Sequence, residues 1–100
     1  MYRQGDVFII PVKNIPVSAS RIQTEGEIVL AYGEVTGHSH SVMDGTTMLF
    51  HGPQGTVYLD VTEHTEVRHQ EHATIPLAPG AYKIARQREY TPEAIRNVAD

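Results

Sequence analysis

Apolar residues in this chain recur mainly at every second position, in short runs cut off by glycine, proline and asparagine, and that pattern most restricts what it can fold into. In "GTVYLDV", Val57, Leu59 and Val61 alternate with Tyr58 and Asp60, the mark of a half-buried strand. "GDVFIIPV" is apolar on both faces and rich in β-branched residues, which reads as a buried strand stopped by Pro11 and Asn14-Ile15-Pro16. After a polar loop from Ser18 to Glu25, "EIVLAYG" is the next strand, ended by Gly33. "TTMLF" and "GTVYLDV" flank the turn-forming "HGPQG" and predict a hairpin. "ATIPL" and "AYKIARQREY" surround a second turn, Ala78-Pro79-Gly80.

Only the last ten residues change period. Thr91 suits a helix cap, Pro92 the first helical position and Glu93 the positive end of the dipole. Ala94, Ile95, Val98 and Ala99 then share one face. The expectation is a mainly β protein, a compact antiparallel β-barrel or sandwich with one short C-terminal helix, forming a single small domain over residues 1–100. At that size burial barely offsets chain entropy, so a bound metal or a homodimer would stabilise it.

Composition excludes several functions. A net charge of -4 argues against a nonspecific grip on nucleic-acid phosphates. No cysteine is present, so any metal must be held by imidazole and carboxylate. No apolar run suits a bilayer and the N-terminus lacks signal-peptide organisation, so a cytoplasmic location without membrane contact is expected. No Gly-x-Ser-x-Gly motif, phosphate-binding loop or dinucleotide fingerprint occurs.

All six histidines, at positions 38, 40, 51, 64, 69 and 72, fall in the middle of the chain. In extended backbone His38 and His40 project from one face with α-carbons roughly 6 to 7 Å apart, while Ser39 and Ser41 face the other way. Two neutral imidazoles so placed suit one divalent ion: zinc, manganese, iron or nickel. "RHQEHATI" supplies the third ligand. His72 shares the parity of Thr74, opposite to Ile75 and Leu77, so it is expected on the polar face of a strand that pairs with the one carrying His38 and His40. Glu71 or His69 would complete or orient the set. A plainer reading makes the His-x-His pair part of a solvated turn; His51, His64 and Asp44 are read as surface or turn residues.

Gly33, His38-x-His40 and Asp44-Gly45 resemble, in part, a shortened first motif of the cupins, small β-barrels in which a His-x-His pair, a following Glu and a later His hold a metal. Here the acid is Asp44, and "LAPGAYK" has Lys83 where the late histidine would stand. From "MYRQGDV" through "YGEVTGHSH" to "RQREYTPE" the chain also resembles short uncharacterised bacterial and phage proteins, a likeness that implies no activity.

In "AYKIARQREYTP", Tyr82, Ile84, Arg86, Arg88 and Tyr90 share one strand face. Arginines on a partly core-facing row need a negative partner. Either some of the twelve acidic residues serve, or Arg86, Arg88 and Tyr90 bind an anion such as a phosphate.

The leading expectation is a β protein binding one divalent metal through His38, His40 and His72, with the metal structural or catalytic, as in a hydrolase. The second is a metal-independent phosphodiesterase, or a binder of a small-molecule, nucleotide or RNA phosphate. It would use the same three histidines as acid and base and the arginines to steady charge. The third is a protein-interaction module acting through a sheet edge.

Overall fold

The computed structural model describes residues 1–32, 37–43 and 45–86. The described residues form ten strands: β1 (Tyr2–Gln4), β2 (Val7–Val12), β3 (Ser20–Ile22), β4 (Glu27–Tyr32), β5 (Ser39–Met43), β6 (Thr47–His51), β7 (Val57–Val61), β8 (Thr65–Val67), β9 (Ile75–Leu77) and β10 (Gly80–Arg86). A single 3-10 turn, Pro53–Gly55, joins β6 to β7, so the hairpin expected around "HGPQG" is present, with His51 the last residue of β6.

Six strands make one antiparallel sheet in the order β1-β2-β10-β7-β6-β3, while β4-β5 and β8-β9 form separate hairpins. Alternation sets which face is buried. Tyr82 lies opposite both Pro11 and Leu59, Leu59 opposite Leu49, and Leu49 opposite Ile22, which draws one row across five strands. Val7, Ile9, Leu59, Val61 and Ile84 from the sheet pack in one cluster with Ile28, Leu30 and Val42 from β4-β5 and with Val67 and Leu77 from β8-β9. The two hairpins therefore cover one face of the large sheet, a sandwich-like arrangement.

Several expectations change: within the stretch expected as a loop, Ser20–Ile22 forms the edge strand β3 paired with β6, and β2 runs through Pro11 to Val12. The large sheet does not close into a barrel: it ends at β1 and β3, each only three residues long, and hairpins rather than further sheet cover the core. "ATIPL" does not pair with the strand of His38 and His40 either, because β9 pairs with β8 and β5 pairs with β4. Val67 faces Ile75 across a short connection, and a short loop costs less entropy to close than a remote pairing. The helix expected over Thr91–Ala99, together with Arg88 and Tyr90, lies outside the described residues. No helix among the described residues is long and apolar enough to cross a membrane.

β1 and β2 are joined by only Gly5 and Asp6, since Gln4 lies opposite Val7. A two-residue hairpin turn of this kind takes a positive φ at its first position, and Gly5 has φ 60. This turn, the start of β5, the end of β10 and the segment linking β8 to β9 meet: Asp6 faces His40 and Arg86, and His72 lies against Gly5.

Candidate functional site

The β8–β9 segment reaches β5 through an isolated bridge, in which Ser41 N–H donates to the Arg68 carbonyl at 3.0 Å and Arg68 N–H to the Ser41 carbonyl at 2.8 Å. Ser39 N–H adds a bond to Gln70 Oε1 at 2.9 Å. His69 and His72 thereby come beside His38 and His40. The ring centroids of His40 and His69 are 4.4 Å apart, those of His69 and His72 4.6 Å, His38 and His69 5.4 Å, and His40 and His72 6.4 Å.

His72 reaches this cluster from a bend rather than from a polar strand face. Its ring rests on the β1–β2 turn, where a Cβ at Gly5 would lie 2.6 Å from His72 Nε2. Glycine at this position meets two demands at once, the backbone's φ and the ring's space. Ser39 and Ser41 do not reach solvent opposite His40; all three are buried, because β5 is covered on both faces.

His40 is the anchor, with 1% of its surface exposed. The Gln4 amide nitrogen donates to the carbonyls of Val67 and Ala73, each at 2.9 Å. That leaves Gln4 Oε1 as an acceptor, 2.8 Å from His40 Nδ1. The His40 proton therefore sits on Nδ1, and Nε2 carries a lone pair. Nε2 faces Asp6 Oδ1 at 3.7 Å. The other carboxylate oxygen, Oδ2, accepts from Arg86 Nη1 at 3.0 Å, and Arg86 also donates to the Tyr32 carbonyl.

Burial, then the neighbouring charge of His69, lower the His40 pKa from 6.5 to about 4, with His72 and Arg86 acting the same way and Asp6 opposing. His40 is therefore uncharged at neutral pH. The His69 pKa is also lowered, by burial first and then by His72 and His38, against Glu71 and Asp6. The Glu71 backbone N–H donates to His69 Nδ1 at 3.0 Å, while the Glu71 carboxylate stands 3.9 Å from His38 Nε2.

Sequence reasoning singled out His38, His40, His69, Glu71 and His72, and the fold brings all five together. Arg86 joins them through Asp6, so the histidine and arginine features meet in one place. His51 and His64 lie elsewhere and are exposed. Gln4 and Asp6 were missed. The available signal was the Gly-Asp dipeptide ahead of an apolar strand, a hairpin signature that would have folded "YRQ" back along "VFI". Among the described residues, no group of three or more His, Asp or Glu has its donor atoms set for a metal ion.

No curated protein and no solved structure gives a significant match to this chain. A family model described as a domain of unknown function, DUF8820, matches residues 3–87. The matched span includes Gln4, Asp6, the four clustered histidines and Arg86, so this chain, site included, belongs to the DUF8820 family.

Proposed function

We propose that the protein binds one divalent transition-metal ion between His40 and Asp6, with His72 and His38 as further ligands. The observation that carries this reading is the facing pair at 3.7 Å, His40 Nε2 and Asp6 Oδ1. The His40 proton is held on Nδ1 by Gln4, and Asp6 accepts from Arg86 through its other oxygen, so the two facing atoms are both electron-pair donors. Such a pair is repulsive until a cation lies between, and an ion about 2.0 to 2.2 Å from each atom spans the gap.

The surroundings support the same reading. Gln4 directs the free nitrogen of His40 inward, as an outer partner of a ligating histidine does. His72 is exposed and His38 half-buried, so their rings can turn toward an ion by side-chain rotation alone. Imidazole and carboxylate together suit zinc, manganese, iron or nickel.

The metal-free alternative asks Arg86 to hold a substrate phosphate, yet its guanidinium already engages Asp6 and the Tyr32 carbonyl. For that reason the metal reading is preferred.

Untagged protein, stripped of metal and titrated with each ion, is expected to take up one ion per chain by calorimetry and elemental analysis. His40→Ala and Asp6→Asn should each weaken binding about tenfold to a hundredfold or more. Absence of stoichiometric uptake of all four ions by a folded wild type would refute the proposal.

A further inference from the structure

We infer that the outer face of the six-stranded sheet binds single-stranded RNA, with Tyr58 and Phe50 as stacking platforms and Lys83 and Arg21 on the flanking phosphates. Residues directly opposite in an antiparallel sheet project from the same face, so register lays that surface out. Ile10 lies opposite Lys83, Lys83 opposite Tyr58, Tyr58 opposite Phe50 and Phe50 opposite Arg21, one row across five strands. Their inward neighbours Tyr82, Leu59 and Leu49 are buried, whereas Lys83, Tyr58 and Phe50 are half-buried and Arg21 is exposed. Adjacent strands are about 4.8 Å apart, so Lys83 and Arg21 stand roughly 14 Å from each other with the two rings between them. The Tyr58 ring is seated over Gly52, where an added Cβ would lie 2.6 Å from its Cε2. The backbone at Gly52 is extended and accepts any residue, so glycine there makes room for the ring.

Charge points to the occupant. The whole chain carries -4, but this face is biased the other way: its rows hold Arg3, Lys83 and Arg21 against one carboxylate, Asp60. Neither Lys83 nor Arg21 is in an ion pair among the described residues. A dry interface with a second copy or another apolar surface would strand those cations. A single strand satisfies both features at once, because phosphates meet the cations while bases take the rings. Asp60 and Asn14 line a groove beside Phe50, where a carboxylate can accept from a base amino group. Tyr58 adds a hydroxyl that suits a ribose 2′-hydroxyl, which favours RNA over DNA. None of these residues belongs to the histidine site, so RNA binding is independent of the metal.

The test titrates the full chain into a fluorescently labelled, mixed-sequence RNA of about ten nucleotides and follows anisotropy at several salt concentrations. Tyr58→Leu and Phe50→Leu, which keep the apolar fill and lose the ring, should each weaken binding about tenfold. Arg21→Gln, at an exposed position that leaves folding intact, should lower the slope of log affinity against log salt by about 0.7. Arg68→Gln makes the same charge change where the side chain pairs with Glu66, and should leave the slope as it is. DNA of the same sequence should bind about threefold or more weakly than RNA. No RNA binding by folded wild type, an equal effect of Arg21→Gln and Arg68→Gln, or DNA held as tightly as RNA would each overturn the inference. Sedimentation that finds a dimer which Phe50→Leu dissociates would assign this face to a second copy and overturn it as well.

Discussion

At the scale of single residues, Gln4 has the most to lose. It is 2% exposed and its one amide serves three partners, so Gln4→Ala strips the donor from two carbonyls and the acceptor from the His40 N–H. Leaving such groups unpaired costs about 1 to 3 kcal/mol each when buried. Urea denaturation should show a loss of about 2 to 4 kcal/mol, below the sum because the Ala73 contact is only part-buried. His40 gives a pH prediction. Its pKa falls from 6.5 in the unfolded chain to about 4 in the fold, so between these values the unfolded state binds more protons and stability rises with pH. The contribution is present in full above the higher value and is lost as pH falls toward the lower. Metal-free protein should therefore lose about 2 kcal/mol from this residue between about pH 7 and pH 5. In denaturation curves at the two pH values, His40→Gln should show correspondingly less of that loss, and an equal loss in both proteins would contradict the assignment.

At the scale of elements, the β1–β2 turn and the β8–β9 connection depend on each other. Gly5→Ala puts a side chain where φ is 60 and where His72 Nε2 would lie 2.6 Å away. The backbone cost is roughly 1 to 2 kcal/mol. The ring is exposed and can move, so the greater effect should fall on the site. Gly26 is the control, because its φ is 68 with nothing within 4 Å of an added Cβ. The two alanine variants should lose similar stability, while only Gly5→Ala weakens metal uptake. Equal metal affinity in both would show that His72 has no part in the site.

At the scale of the whole molecule, one core is shared by the large sheet and both hairpins, so damage at its centre is felt everywhere. Leu59 is fully buried in the middle of that cluster, and Leu59→Ala should cost about 2 to 5 kcal/mol. A domain of this kind has only about 5 to 15 kcal/mol in total. Metal at about a thousandfold above its dissociation constant adds about 4 kcal/mol to the folded state. Calorimetry should find that metal raises the Tm of the wild type and of Leu59→Ala by more than it raises that of His40→Ala.

Much of the fold was readable because strands announce themselves locally. Period-two runs such as "VYLDV" and turn clusters such as "HGPQG" decide backbone geometry over a few residues. The crowding of histidines into one third of the chain was equally plain. Pairing partners were less so, because β5 and β9 are compatible with several neighbours and only packing chooses among them. Hence the barrel, and the strand face expected for His72, gave way to hairpins and a bend. Gln4 and Asp6 carry no local mark of their roles: a buried glutamine and a turn aspartate acquire meaning only from groups 36 and 80 residues away. The sequence alone determined the β class and which side chains have the chemistry. Tertiary structure alone decided that they meet, because convergence depends on long-range register, and no short stretch of chain encodes it.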